Sequence, residues 1–337
     1  STNPKHCKVF LLGTSALVCF ALSTPVVAEN FVITQSDNST NGTGIADNAI
    51  NGSDTVILKI PLTTTGTNDG IQTSGDGNAI TVTEAGSITT GTGDDAYGIY
   101  NNGDGNTTTM SGSISTSGNG TVHSTQRAYG INNEGNGNTT IMSGSISNTG
   151  WHGYGINNVG SGNTTTMSGS ISTTGDLANG IYNEGNDNTT IMSGSISTAA
   201  RWGVGVYNYG DNNTTTMSGS FSSTGNFSFG IYNKGSGNTT TMSGSISTTG
   251  DKAYGIHNGD TTNNSTIYSD NNTTTVSGSI KTEGVEAHGI YNDGDNNTTT
   301  ISGTVKATGA KSAALYNVYG SDNSFTLNEG ATIIGDI

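Results

Sequence analysis

The sequence predicts an all-β chain wound into a parallel β-helix, or β-solenoid, with about 25 residues in each coil. Three observations predict this fold: few apolar residues, a repeat along most of the chain, and two-residue alternation within each repeat. Hydrophobic residues make up 30% of the 337 residues, and 52 residues are glycine. A thick core is excluded by this composition, whereas a thin repetitive architecture needs only a few apolar side chains in each unit. A disordered tract would have no reason to hold apolar residues at fixed positions.

The repeat begins with the tetrad Gly-Ile-Tyr-Asn or a close variant. The interval between successive tetrads is constant, except that it is longer between Gly98 and Gly130 and between Gly255 and Gly289. An apolar residue, usually Met, lies twelve positions after the leading glycine of the tetrad. A second apolar residue, usually Ile, lies four positions after the first. The tetrads begin at Gly98, Gly130, Gly155, Gly180, Gly205, Gly230, Gly255, Gly289 and Ala314.

Each repeat contains strands and corners rather than helices. The segment Thr-Thr-Thr-Met-Ser-Gly-Ser-Ile puts Met and Ile on one face and outward Thr and Ser on the other, which is typical of a half-buried strand. Gly, Asn, Ser and Thr are unfavourable in helix interiors. Turn sequences such as residues 103–106 (Gly-Asp-Gly-Asn) tolerate positive φ and predict corners. We expect each coil to bury Ile, Met and the second Ile, together with the residue before the tetrad, which is often tyrosine (Tyr97, Tyr129, Tyr154, Tyr254).

Two columns of asparagine run along the predicted coils, and we interpret both as structural ladders, since stacked amides can hydrogen-bond along the coil axis. The first closes the tetrads, at Asn101, Asn133, Asn158, Asn183, Asn208, Asn233, Asn258, Asn292 and Asn317. The second lies at corners, at Asn106, Asn138, Asn163, Asn188, Asn213, Asn238, Asn272 and Asn297.

Residues 1–28 have the pattern of a secretory signal peptide. Basic Lys5 and Lys8 precede a short apolar run, and small residues ending at Ala28 follow it. The run is too short for a membrane-spanning helix, which needs about 20 apolar residues. Both cysteines, Cys7 and Cys19, lie within this segment, so the remainder contains none. The absence of cysteine suits a chain that crosses an outer membrane unfolded, because a disulfide would close a loop and block passage.

Beyond the signal peptide, we predict two further parts. Residues 29–69 are less regular and are expected to form a cap and the first irregular coils, covering an edge that would otherwise be bare. Residues 70–337 form the repeat array. The two longer intervals predict corner insertions near residues 118–126 and 259–270, where loops can lengthen without disturbing the stack.

Charge and residue spacing exclude several function classes. The chain carries ten basic against 25 acidic residues, a formal net charge of −15, so it lacks the basic face that nucleic acids or anionic membranes require. We expect no nucleic-acid partner and no membrane insertion within this chain.

Histidines without metal-ligand spacing are expected to be exposed spectators: His123, His152, His257 and His288. The acids occupy turn-like positions: Asp104, Glu134, Glu184, Asp187, Asp211, Asp293 and Asp295. We therefore expect no metal, no cofactor and no enzymatic activity.

Two outward stripes are candidate contact surfaces. The aromatic candidates are Tyr100, Tyr182, Tyr207, Tyr232, Tyr291 and Tyr316 on the tetrad strand, with Trp151 and Trp202 in corners. Exposed aromatic rings can stack on sugars or pack against a partner, or they can simply stack on one another. The second stripe consists of outward Thr-x-Thr pairs, interrupted by Ile141 and Ile191. Flat arrays of this kind resemble ice-binding solenoids, although β-branched residues also fill exposed strands by default.

The tetrads, the Ser-Gly-Ser-Ile strands, the signal-like start and the cysteine-free body together resemble the passengers of bacterial autotransporters. The resemblance implies a right-handed β-helix displayed outside a Gram-negative cell and used in adhesion, autoaggregation or host contact. Its expected partners are protein or glycan molecules on host or neighbouring cells. Such proteins end in a translocating barrel that tethers them at the outer membrane. The chain ends within the array, at Ile337, and begins with Ser1, so we expect it to be a fragment.

Overall fold

The computed structural model describes residues 30–33, 52–93, 95–118, 127–260, 269–318 and 320–337. Over these residues it contains short strands and no helix. No segment within these ranges is a helix of the length and hydropathy needed to span a membrane. The strands are β1 (Asn30–Ile33), β2 (Thr55–Leu58), β3 (Pro61–Thr63), β4 (Ile71–Ser74), β5 (Ala79–Val82), β6 (Ser87–Thr89), β7 (Ile99–Asn102), β8 (Thr107–Met110), β9 (Ser113–Thr116), β10 (Ile131–Glu134), β11 (Thr139–Met142), β12 (Ser145–Asn148), β13 (Ile156–Val159), β14 (Thr164–Met167), β15 (Ser170–Thr173), β16 (Ile181–Glu184), β17 (Thr189–Met192), β18 (Ser195–Thr198), β19 (Val204–Tyr209), β20 (Thr214–Met217), β21 (Ser220–Ser223), β22 (Phe229–Lys234), β23 (Thr239–Met242), β24 (Ser245–Thr248), β25 (Ile256–Asn258), β26 (Thr273–Val276), β27 (Ser279–Thr282), β28 (Ile290–Asp293), β29 (Thr298–Ile301), β30 (Thr304–Ala307), β31 (Leu315–Val318), β32 (Ser324–Leu327) and β33 (Thr332–Ile334).

Three parallel sheets form the walls of the solenoid, and every strand pairs with its equivalent one coil away. The tetrad strands form the Tyr sheet, which runs from β4 to β31 in steps of three. The Thr-x-Thr strands form the Thr sheet, from β1 and β2 to β32, and the Ser-Ile-Ser strands form the Ser sheet, from β3 to β33. Equivalent residues are in register, as in the pairing of Ile156 with Ile181. The predicted fold class, a parallel β-helix with about 25 residues per coil, is confirmed.

The interior is narrow and lined by the residues that alternation predicts. In the coil that begins at Gly180, the buried apolar side chains are Ile181, Met192 and Ile196. Equivalent residues from successive coils form one continuous cluster from Val56 to Leu315. Polar residues also point inward, because alternation leaves Thr190 and Thr198 buried in the same coil. Stacked coils therefore share a core in which each contributes three large apolar side chains.

The first asparagine column forms a hydrogen-bonded ladder in this interior. Asn183 Nδ2 donates to Asn208 Oδ1 in the next coil at 2.8 Å and to Thr190 Oγ1 in its own coil at 3.1 Å. The inter-coil bond is repeated from Asn101 to Asn292. In the last coil, the exposed Asn317 instead accepts a hydrogen bond from Asn323 Nδ2. Inward amides are thereby satisfied without water, as buried polar groups require.

The second asparagine column closes the corner between the Tyr and Thr sheets. Asn163 Oδ1 accepts the backbone N–H of Asn138 at 2.8 Å, and the same bond links each coil to the next. The corner itself uses positive φ, at Gly160 and Gly162 in this coil and at Asp187 in the next. The asparagines of this column are buried, with Asn106 and Asn138 each 1% exposed.

Strand pairing extends across both predicted insertions and into the predicted cap. Ser113 pairs with Ser145, and Thr239 pairs with Thr273, so the sheets continue in register on either side of both insertions. Most of the insertions, residues 119–126 and 261–268, lie outside the described residues, as do the whole predicted signal peptide and much of residues 29–69. Within the latter range, β2 and β3 already belong to the Thr and Ser sheets.

The leading glycine of the tetrad is required by close packing. A β-carbon on Gly155 would lie 2.6 Å from the carbonyl oxygen of Gly180 and would overlap Ile171 Cγ2. A β-carbon on the corner residue Gly162 would meet nothing within 4 Å, although φ there is +69°. The two glycines thus serve different purposes, close approach in one case and a left-handed backbone in the other.

We expect Gly155→Ala to lower the free energy of unfolding by about 3 kcal/mol, because the added carbon overpacks the interior. Gly162→Ala should cost only about 1 kcal/mol, the strain of a left-handed alanine. Denaturant unfolding followed by circular dichroism measures both. An equal loss in the two variants would contradict this account of the tetrad glycine.

Candidate functional site

The outer surface of the Tyr sheet carries a run of aromatic rings in mutual contact, which we call the aromatic ladder. The ring of Tyr207 lies 5.1 Å from Tyr182 and 4.6 Å from Tyr232, each one coil away. The tetrad tyrosines point out of the solenoid, and their exposure varies with position. Tyr232 is 5% exposed, Tyr316 is 38% exposed, and the others are partly buried: Tyr100, Tyr182, Tyr207 and Tyr291. Neighbouring rings contact one another in different orientations, stacked between Tyr207 and Tyr232 and edge-on between Tyr182 and Tyr207.

A second aromatic column, formed by the residue before each tetrad, joins the ladder. Tyr129 stacks on Tyr97 at 5.3 Å and on Tyr154 at 4.8 Å, and Phe229 stacks on Tyr254 at 5.1 Å. Tyr129 and Tyr154 are buried, as expected, whereas Tyr97 and Tyr254 are only partly buried. The expected location beside Ile and Met is corrected, because none of the four tyrosines belongs to the interior cluster.

The physical reason lies in the leading glycine. A β-carbon on Gly98 would point at Ile114 in the interior, and the next residue, Ile99, is also buried there. Two successive inward positions break the strand alternation, so the preceding residue, Tyr97, turns outward.

The histidines of the ladder are buried, which corrects the expectation that they are exposed spectators. The ring of His257 is 0% exposed and stacks on Tyr232 at 4.6 Å with an interplanar angle of 7°. His288, 7% exposed, stacks on Tyr316 at 4.2 Å, and its Nδ1 accepts the backbone N–H of Ala313. His152 is partly buried in a corner, and His123 lies outside the described residues.

Burial keeps these imidazoles neutral. Desolvation lowers the pKa of His257 to about 3, although the nearby Asp260 opposes the shift. Desolvation, with a contribution from Arg127, lowers the pKa of His152 to about 4. The ladder is therefore an uncharged surface at these positions near neutral pH.

The corner between the Ser and Tyr sheets holds large side chains in a left-handed backbone. His152, Leu177, Trp202 and Phe227 all have φ between +54° and +63°. Few non-glycine residues adopt this conformation, so the stack must enforce it. Trp202 stacks on Phe227 at 4.4 Å. The other predicted corner tryptophan, Trp151, contacts His152 at 4.5 Å.

A groove of about 430 Å³ opens between this corner and the aromatic ladder. Its lining comprises Arg127, His152, Tyr154, Leu177, Asn179, Tyr182, Glu184, Trp202, Val204, Tyr207, Phe229, Tyr232 and Lys234. The volume lies within the roughly 300–1,000 Å³ of small-molecule sites, and such sites combine apolar walls with a few polar groups. A smaller opening, about 360 Å³, lies near Lys252, Tyr254 and Glu286.

The groove carries charges of both signs at its rim. Lys234 Nζ forms an ion pair with Asp260 at 3.2 Å and lies 5.4 Å from the ring of Tyr209. Desolvation raises the pKa of Tyr182, and the nearby Glu184 adds to the increase. Tyr182 is therefore a neutral hydroxyl group in the groove.

The acids that sequence reasoning assigned to turns fall into separate environments. Asp104 Oδ1 accepts the backbone N–H of Asn136, a bond that belongs to the corner. Glu134 accepts hydrogen bonds from the Tyr100 hydroxyl at 2.7 Å and from Asn132 Nδ2 at 3.1 Å. Burial, helped by Asp260, raises the pKa of Asp293 to about 6. Among the described residues, no group of three or more His, Cys, Asp or Glu is placed to hold a metal ion.

Sequence reasoning found the tetrad tyrosines and Trp202 but missed the residues that shape the groove. Asn179, Val204 and Phe229 precede tetrads, and Leu177 precedes one by three positions. The repeat contained a usable signal, because these positions keep a fixed phase relative to the leading glycine.

No protein-family model and no curated protein matches the chain. Among solved structures, the chain is similar to a PL6 alginate lyase in complex with a trisaccharide, with 10% sequence identity and a TM-score of 0.24. The match covers 92% of this chain and 87% of that chain.

The expectation that this chain lacks enzymatic activity is corrected by this comparison, since the solved chain is an enzyme. We do not retain that expectation. The likeness is too distant to assign the lyase reaction or its substrate to the present chain.

We expect stability to fall on acidification through His257. The unfolded state takes up a proton below about pH 6.5, whereas the buried ring resists protonation until about pH 3. The stability that depends on neutral His257 is thus complete above pH 6.5 and is lost as the pH falls. Between pH 8 and pH 5 the loss should be about 2 kcal/mol.

His257→Phe keeps a ring in the stack and removes the titration, so its stability should depend less on pH than that of the parent chain. Urea unfolding at several pH values measures the difference, and Tyr207→Phe serves as a control that should keep the parent's pH dependence. Parallel curves for the parent and His257→Phe would show that His257 is not the titrating group.

Proposed function

We propose that this chain is an extracellular adhesive solenoid that contacts molecules on host or neighbouring cells through its aromatic ladder. The observation that carries the proposal is the ladder itself, a nearly continuous row of rings on the outside of the solenoid. Aromatic rings contribute much of the energy of protein interfaces, and Tyr and Trp combine an apolar body with a polar group.

The sequence supports the extracellular setting. The signal-like pattern of residues 1–28, the absence of cysteine beyond them and the resemblance to autotransporter passengers all favour export to a bacterial surface. A surface rich in Ser, Thr, Asn and Gly is hydrated mainly through hydrogen bonds, which suits an exposed stalk.

The test uses beads coated with the purified chain and presented to bacterial and animal cells. Tyr182→Asn/Tyr207→Asn removes two neighbouring rings, and folding should persist because Asn132 and Asn157 occupy this position in other coils. We expect bead attachment to fall several-fold, since the removed rings supply apolar contact area.

Thr214→Asn/Thr216→Asn is the matched control on the Thr sheet and should attach like the parent. Circular dichroism verifies the fold of each variant. If the tyrosine variant attaches as well as the parent, the aromatic ladder is not the adhesive surface. If the parent attaches to no cell type, the adhesive function itself is refuted.

Ice binding is a second candidate function, favoured by the Thr sheet. From β8 to β29, every outward position is threonine except Ile141 and Ile191, and equivalent threonines are in register. The array is uncharged and repeats about every 4.8 Å along the solenoid. A regular lattice of hydroxyl and methyl groups is suited to an ordered water surface.

Thermal hysteresis of the purified chain tests this candidate. We expect a solution of the parent chain to freeze below its melting point. The gap between the melting and freezing temperatures should be smaller for Thr216→Lys/Thr241→Lys, because two ammonium groups disrupt the lattice. Ser197→Lys/Ser222→Lys adds the same charges on the Ser sheet and should leave the gap unchanged. Absence of hysteresis in the parent would eliminate ice binding.

A further inference from the structure

The aromatic column that precedes the tetrads is interrupted at one place. It consists of stacked rings through Tyr154 and resumes with Phe229, but Asn179 and Val204 occupy the two coils between them. Three coil steps separate Tyr154 from Phe229, about 14 Å at the usual strand spacing. Two small side chains thus leave a gap where rings stand elsewhere, and the groove of about 430 Å³ lies there. We call this gap the notch.

The walls of the notch are mainly aromatic. Tyr182 and Tyr207 lie on the side of the Tyr sheet, with their rings at 73° to each other. Leu177 and Trp202 lie on the corner side. Asn179 is held at the floor, where its Oδ1 accepts the backbone N–H of Val204 at 3.0 Å. The notch is therefore part of the fold and does not require a conformational change to form.

We propose that the notch binds a neutral sugar ring of a glycan. A pyranose ring has an apolar C–H face, which can pack against the tyrosine or tryptophan walls, and hydroxyl groups at its edge. Glu184 and Arg127 at the rim, with the Tyr182 hydroxyl, supply acceptors and donors for those hydroxyls. This inference rests on the proposed adhesive function and specifies its ligand.

Charge favours a neutral glycan over an acidic one. Lys234 is already paired with Asp260, Arg127 shares the groove with Glu184, and burial keeps His152 neutral. The chain as a whole carries −15, so a polyanionic glycan would be repelled as it approached along the solenoid. A neutral ring meets no such barrier.

Filling the notch tests the proposal. Val204→Tyr places a ring where other coils hold Tyr129, Tyr154 or Tyr254, so the fold can accommodate it, and Asn179→Tyr is a second variant with the same purpose. Thr216→Tyr is the matched control, because it adds the same side chain to the same coil on the exposed Thr sheet.

The probes are arrayed neutral oligosaccharides of hexose and N-acetylhexosamine beside uronate oligosaccharides. We expect the parent to bind neutral probes, Val204→Tyr to bind at least tenfold more weakly, and Thr216→Tyr to bind like the parent. Failure of the parent to bind any neutral probe, a preference for uronates, or unchanged binding by Val204→Tyr would each overturn the inference.

Periodate oxidation of target cells separates a glycan from a protein partner. Periodate cleaves vicinal diols of sugars, so attachment of parent-coated beads should fall if the notch binds a glycan. Attachment that survives periodate indicates a protein partner, which refutes the glycan ligand and leaves the adhesive function intact. Attachment that also resists filling of the notch, but is lost in Tyr182→Asn/Tyr207→Asn, shows that the partner contacts the tyrosine rings of the ladder without entering the notch, which refutes the notch as the binding site.

Discussion

The whole structure depends on parallel, in-register pairing of each strand with its equivalent in the next coil. Backbone hydrogen bonds run along the axis and hold every residue about 4.8 Å from its counterpart. A side chain that recurs in each coil must therefore be compatible with a copy of itself on both sides. Ile and Met pack, asparagine amides donate to asparagine carbonyls, and glycine permits the closest approach. With only three large apolar side chains per coil, these repeated contacts and the backbone ladders must complete the stability of the array.

The same constraint organises the outer surface. A ring at a fixed phase of the repeat inevitably lies beside the next ring, so a ladder forms wherever aromatic residues recur. Its members cover one another, which explains why Tyr232 and His257 are buried although they are outside the core. A feature of different shape arises only where a column changes residue type. Asn179 and Val204 replace the aromatic residues of their column, so the repetitive surface has a different shape at that position.

Sequence reasoning predicted the features that depend on period and alternation. Met192 and Ile196 are buried, Asn183 joins a ladder, and the Thr-x-Thr pairs face outward, because each follows from counting along the repeat. The outward direction of the Tyr97 side chain could not be predicted by counting along the repeat, since Gly98 and Ile99 both face inward and alternation fails between them. The burial of His257 depends on the rings of Tyr232 and Tyr291, which only the assembled coils bring together. The groove could not be predicted from the sequence, because its lining depends on which columns of side chains are adjacent around the coil. The corners determine that arrangement.

The buried corner asparagines have a consequence for producing this protein. Each is followed by two threonines, as in Asn163-Thr164-Thr165, so the repeat carries a series of acceptor sequences for N-linked glycosylation. In the folded chain these side chains are inaccessible, and their amide oxygens accept a backbone N–H of the neighbouring coil. A eukaryotic secretory pathway could modify them only before folding, and each attached oligosaccharide would then prevent a corner from closing. Bacterial expression avoids this conflict.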